Sequence, residues 1–151
     1  MYDSTKDHLE HKSKVCDYLL KFTCLLQARG ELHDHDKLHS PLKEIFDKYT
    51  PMLRESTFLS DEYNQTLADM GKFINLHYEI SPHHPQHYEN GIQGMSLIDL
   101  CEMICDWKAA TEKQKDGDVL RSIEMNQARF GYSDELKQIL INTVTRYLSN
   151  D

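Results

Sequence analysis

Between Leu97 and Ala110 the chain is apolar on nearly every side: Leu97, Ile98, Leu100, Cys101, Met103, Ile104, Cys105, Trp107, Ala109 and Ala110. At the helical repeat these residues wrap most of a cylinder, and a helix of that kind has to be surrounded by others. The requirement points to an all-α bundle built round one central rod. Three acids interrupt the apolar surface. Asp99, Glu102 and Asp106 fall at i, i+3 and i+7, a single line along the rod. Ser96 followed by Asp99 reads as a variant capping box, which gives Asp99 a structural task. Buried carboxylates are too costly to leave uncompensated. The rest of the line is therefore either the rod's wet edge or a set of oxygens aimed at an internal cation. Asp106 is the first candidate for metal or ligand work, and Glu102 the second.

The remaining chain supplies the surrounding helices. From Ser4 to Arg29, Leu9, Cys16, Leu19, Leu20, Thr23 and Leu26 recur at three-and-four spacing, and Gly30 reads as the stop. Ser40-Pro41 is a good N-cap and first helical residue for a short helix with Leu42, Ile45, Phe46 and Tyr49 inward, ending near Thr50-Pro51. Residues 51–60 read as loop. Ser60-Asp61-Glu62 opens one helix whose apolar track is Leu67, Met70, Phe73, Ile74 and His77, so that His77 points inward. After the rod, Lys115-Asp116-Gly117-Asp118 is a turn. A helix over about 118–130 stops at Gly131, and Ser133-Asp134-Glu135 starts the last one, which carries Leu136, Ile139, Leu140, Thr143, Val144 and Tyr147. The sum is a single domain, 1–151, of about six helices, with no strand or internal repeat.

A chain of 151 residues can close a hydrophobic core without staples. No apolar run approaches the roughly 20 residues that cross a bilayer. Met1-Tyr2-Asp3-Ser4-Thr5-Lys6-Asp7 lacks the basic-then-apolar order of a signal peptide. Cytoplasm is the expected compartment, with no membrane partner. Cys16, Cys24, Cys101 and Cys105 show neither Cys-x-x-Cys nor a framework spacing, and read as buried reduced thiols. The net charge of −8 argues against a long nucleic-acid backbone as main partner, because the sequence shows no Lys/Arg cluster to neutralise it. A small phosphorylated ligand stays open, since a metal can supply the local positive charge.

Nine histidines are bunched at 8–11, 33–39 and 77–87. His8 and His11 share a face of the first helix. Leu32-His33-Asp34-His35-Asp36-Lys37-Leu38 repeats an imidazole–carboxylate pair two residues apart, donors that suit a borderline divalent cation. Ser81-Pro82-His83-His84-Pro85-Gln86-His87 sets three histidines in a loop stiffened by two prolines, which loses little entropy on closing round an ion or phosphate. Asn126 and Arg129, three apart on one helix, can reach an anion. Each feature alone also fits a solvated polar surface, and His77 alone fits a hydrogen-bonded core residue. Their combination favours a metal or ligand site over a purely structural helical bundle.

In this order, a histidine on the first helix, His33-Asp34 with Lys37, two histidine stations and a late aspartate, the chain resembles the HD-domain superfamily of helical metal-dependent phosphohydrolases. His33-Asp34 is the signature pair, because only it places Lys37 three after the aspartate. A closer resemblance, over about residues 5–148, is to an uncharacterised family of small HD-like proteins of bacteria and their phages. It is carried by His33-Asp34 with Lys37-Leu38, His83-His84-Pro85 with His87, Glu102-Met103 with Asp106-Trp107, and Arg129-Phe130-Gly131-Tyr132. Asp36 departs from that pattern, where a small residue is commoner, as does Leu76 before His77 and Ser81-Pro82 before the histidine pair.

The resemblance implies a hydrolase acting on a nucleotide or other small phosphoester. His11, His33, Asp34 and Asp106 would hold one divalent ion, and His77 with His83 or His84 a second, or the phosphate. Asp34, His83 and His84 count among the catalytic residues, with Lys37 stabilising developing charge on the phosphate. Arg129, Asn126 and His87 would bind substrate, with His35 and Glu102 nearby. The mixed N/O donor set favours Mn, Fe, Co, Ni or Zn, as one ion or two. Two rivals use the same residues: an HD-type di-iron oxygenase, and a protein that sequesters a nucleotide without cleaving it. A homo-oligomer is compatible with all three.

Overall fold

A computed structural model describes residues 2–114 and 117–149 of the chain. Among these the chain is all helix, with seven α-helices and no strand. It divides into two compact units, Met1–His33 and Asp34–Asp151.

The first unit is helix α1, Thr5–Leu32. Gly30 does not end it. A terminating glycine works by taking the left-handed conformation just past the last turn, and Gly30 is not among the positive-φ residues. The helix runs through it, and the chain turns extended at His33 (φ −53°, ψ 127°). Interior glycine weakens a helix by only about 1 kcal/mol.

In the second unit a 3₁₀ turn, His35–Leu38, leads into α2 (Leu42–Glu55), which packs on α3 (Asp61–Met70) and α4 (Lys72–Ile80). Two short 3₁₀ turns, Pro85–His87 and Gly91–Gly94, then lead to α5 (Leu97–Glu112), which packs on α6 (Val119–Phe130) and α7 (Asp134–Tyr147). Two expectations change here. Helix α2 continues past Pro51 by one more turn, closed by Ser56, whose N–H donates to the Met52 carbonyl and whose hydroxyl donates to that of Leu53. Proline cannot donate to the preceding turn, but its fixed φ is helical. The expected helix from 60 to 77 is two helices, broken at Gly71 (φ 56°, ψ −131°). Seven helices rather than about six follow from that break. Of the expected turn at 115–118, Lys115 and Asp116 lie outside the described residues.

The core is made by Met103, Ile104 and Trp107 of α5, Ile123 of α6, Tyr132, and Leu140 and Val144 of α7. Trp107 stacks on Phe130 and Tyr132, with centroids 6.4 and 6.5 Å away. The Tyr132 hydroxyl donates to the Ile123 carbonyl at 2.5 Å. Gly131 (φ 67°) ends α6 in the left-handed conformation, as its position predicts. The rod itself is half-sheathed. Leu97, Cys101 and Cys105 on α5 are exposed, so apolar composition overstated its burial. All four cysteines are exposed, against the expectation of buried thiols. In a helix only the stripe facing its neighbours is covered, and the cysteines stand outside that stripe.

The start of α5 is as expected and does more than cap. Asp99, buried, accepts at Oδ2 from the Ser96 backbone N–H (2.8 Å), the Ser96 hydroxyl (2.7 Å) and the Tyr88 hydroxyl (2.8 Å). It thereby pins the loop after α4 to the rod. Asp99→Ala is expected to destabilise the fold by about 2 kcal/mol, because it removes a cap and strands buried donors. Urea unfolding with an unchanged m-value checks this.

Candidate metal centre

Four segments of the second unit converge. The turn at its start brings Asp34, Asp36 and Lys37. Helix α4 brings His77, the proline-bounded loop brings His83 and His84, and α5 brings Glu102 and Asp106. Asp34 holds φ 55° and ψ 19°, a left-handed conformation that aspartate tolerates better than most residues. His77 is fully buried and His83 nearly so.

The two buried imidazoles are held alike. His77 Nδ1 lies 2.6 Å from Asp36 Oδ2, with the Ser81 hydroxyl 3.2 Å away, and His83 Nδ1 lies 3.0 Å from Glu102 Oε1. A carboxylate can only accept, so each ring donates Nδ1–H outward and turns the lone pair of Nε2 inward. His77 Nε2 is 2.9 Å from His84 Nε2 and 3.5 Å from Asp34 Oδ1, and His83 Nε2 is 3.6 Å from the same oxygen. His77, His83 and His84 each offer a ligand atom within 4.8 Å of the others, as do Asp34, Asp36 and His77. Donors bonded to one ion at about 2.0–2.1 Å lie roughly 3.0–3.5 Å apart. The three inner distances, His77 to His84 and Asp34 to each of His77 and His83, lie close to those edges at 2.9, 3.5 and 3.6 Å, which suits a Zn-like or Mn-like cation.

The charges agree with that use. Burial, and then the Lys37 ammonium, hold His77 below the ordinary imidazole value of 6.5, while Asp36 and Asp34 pull the other way. Neutral imidazole is the metal-binding form. In metal-free protein the folded state prefers neutral His77, whereas the unfolded chain takes up a proton near pH 6.5. The stability this group contributes is present above that pH and is lost as pH falls through its lowered folded value. Urea titrations of metal-free protein should show the loss, and His77→Gln should flatten it.

Lys37 sits on Asp34, with Nζ 2.7 Å from Oδ2 and over the Phe46 ring at 4.7 Å. Its charge is applied to the carboxylate's outer oxygen, which leaves Oδ1 toward the histidines. Asp106 is half-buried and lines an adjoining cleft of about 120 Å³ with Tyr63, Tyr78, His84, Asn126 and Arg129. Asn126 is buried there, and its amide donates to the Ser122 hydroxyl. Arg129 stacks on Phe130 at 4.7 Å. Burial in this cleft raises the Tyr63 phenol to about 12, with Tyr78 and Asp106 adding and Arg129 opposing.

Two expected residues of the second unit, His87 and His35, stand outside the cluster. His87 is exposed, and its Nδ1 donates to the Glu79 carbonyl at 2.6 Å, bracing the loop. His35 and His39 are exposed and meet each other, Nε2 to Nε2, at 3.0 Å. His11 and His33 belong to the first unit, His11 exposed on α1 and His33 just past its end. Asp36 is legible only as part of the donor repeat and, with Ser81, as a departure from the family pattern, and Tyr63 and Tyr78 carry no signal in the sequence. Nothing in the sequence links residue 36 to residue 77; that pairing exists only once α4 is in place.

The Family of unknown function (DUF5662) matches residues 1–146. No curated protein and no solved structure matches the chain.

Proposed function

We propose, for a chain that belongs to the DUF5662 family, that the second unit is a metal-dependent phosphohydrolase acting on a nucleotide or other small phosphoester. His77, His83, His84 and Asp34 would hold the ion, drawn from Mn, Fe, Co, Ni or Zn. The observation that carries this reading is the inward turn of two buried Nε2 lone pairs onto one Asp34 oxygen, each ring being fixed from behind by its own carboxylate. Such outer carboxylates orient metal-binding histidines and raise their basicity. The resemblance to HD-domain phosphohydrolases points the same way, and the reading uses ligands of the second unit alone.

A bound divalent ion would supply Lewis-acid polarisation and an activated water. The chain's own residues do the rest. Asp36 and Glu102 keep the tautomers of His77 and His83. Lys37 offsets part of the Asp34 charge. Arg129 and Asn126, on the far wall of the cleft, offer N–H donors to non-bridging phosphoryl oxygens. The Asp106 carboxylate can accept a proton from water entering the cleft. Phe58, Tyr63, Trp107 and Phe130 exclude water and offer flat apolar faces to the rest of the substrate.

The test is metal content of protein reconstituted with each ion, followed by phosphate release from a phosphoester panel. Stoichiometric metal with phosphate release supports the reading. Iron-dependent oxygen uptake without phosphate release would transfer the site to the oxygenase class. Recovery of intact nucleotide from metal-loaded protein, with no turnover, would make it a sequestering protein.

A further inference from the structure

A second cleft, of about 90 Å³, opens between the end of α2 and the start of α6. It shares Phe58, Thr111, Gln114 and Ser122 with the cleft beside the metal cluster, so those four residues are a common wall between the two. The chain has five arginines, Arg29, Arg54, Arg121, Arg129 and Arg146, in a protein of net charge −8. Three of the five line these adjoining clefts: Arg129 beside the cluster, and Arg54 and Arg121 in the further one. Among the described residues no lysine lines either.

That selection has a chemical sense. Guanidinium presents a planar fork of donors matched to phosphate and carboxylate, whereas lysine offers only a point charge. Two acids, Glu55 and Asp118, also line the further cleft. Asp118 is committed: its Oδ1 accepts from the Leu120 N–H (2.8 Å) and the Arg121 N–H (3.3 Å) to start α6. Among the described residues, neither Arg54 nor Arg121 is held in an ion pair. Both forks remain available on the cleft's rim.

We infer that the further cleft is a second anion subsite, and that the substrate is a phosphoester with a second anionic group on the side away from the metal cluster. This deepens the proposed phosphohydrolase reading and rests on it. The reacting phosphate lies by His84 and Arg129, the connecting sugar crosses the shared wall at Phe58 and Ser122, and the second anion lies between Arg54 and Arg121.

The experiment compares adenosine 5′-monophosphate with adenosine 3′,5′-bisphosphate on Mn²⁺-loaded protein. For the wild type, KM for the bisphosphate should be about 10-fold or more lower, the effect of one charge-assisted hydrogen bond. Arg54→Gln with Arg121→Gln should erase the difference and leave the monophosphate KM unchanged. Calorimetric binding of the bisphosphate to metal-free protein is the second readout, and it should weaken to the same degree in the double variant. Binding that depends on the arginines without turnover of either compound would remove the hydrolase reading and keep the subsite. Equal KM values for the two compounds in the wild type would overturn the subsite, as would a double variant that binds the bisphosphate as tightly as wild type.

Discussion

If the proposed metal centre holds, Asp34→Asn should empty it: binding of Mn²⁺ or Zn²⁺ falls by about 100-fold or more, and the proposed phosphate release falls with it. Asparagine is the informative replacement because residue 34 has φ 55°. Asparagine tolerates the left-handed conformation nearly as well as aspartate, whereas alanine adds strain that would mix folding with binding. The substitution keeps the shape, removes the charge shared by His77 and His83, and leaves Lys37 without its anion. Metal-free Asp34→Asn should keep the helical circular dichroism of the wild type. Undiminished metal occupancy in a folded Asp34→Asn protein would remove Asp34 from the ligand set. Retained phosphate release would place the reaction away from Asp34 and this donor set.

Trp107→Ala is the second large effect, and it separates stability from chemistry. The indole is 9% exposed, packed in the core of α5, α6 and α7, and stacked on Phe130 and Tyr132. Truncating it removes one of the largest buried apolar surfaces and leaves a void that helices on three sides cannot all fill, for a cost of about 3–5 kcal/mol. Trp107 also lines the cleft next to Asp106. A partial rescue by Trp107→Phe in urea unfolding, with substrate KM still raised, would show both roles. A loss under about 1 kcal/mol would contradict the packing described here.

The helical class was legible because apolar spacing at three and four repeats through every segment, and caps such as Ser96, Ser133 and Gly131 behave as their chemistry requires. The errors have a common origin. Gly30 and Pro51 are read as stops by residue type, while periodicity carries the helix straight through Gly71, and neither signal determines which of the three the packed chain uses as a break. Gly30 and Pro51 are carried inside helices, where each costs local stability, whereas Gly71 is used for a conformation only glycine takes freely. The cysteines were misplaced because composition counts apolar side chains and says nothing of which stripe finds a neighbour.

For the site, the donors His77, His83, His84 and Asp34 were legible as clusters of metal-binding types. Their orientation was not. Asp36 and Glu102 act through pairings that span 41 residues in one case and join a loop to a helix in the other. Periodicity within one segment carries no information about such partners. The acidic line on α5 shows the same limit: its three members, three and then four residues apart, cap the helix and pin a loop, orient an imidazole and line a cleft.

Gly71 lies six residues before His77, and its backbone (φ 56°, ψ −131°) sets the direction in which α4 departs. A side chain is forbidden there by geometry, even though the space about the position is open, with only the Ala68 carbonyl near, at 3.8 Å. In a saturation library selected for metal retention, position 71 should tolerate as few replacements as position 77. Its intolerance would be a demand on bearing, with residue 77 as the needle and residue 71 as the pivot.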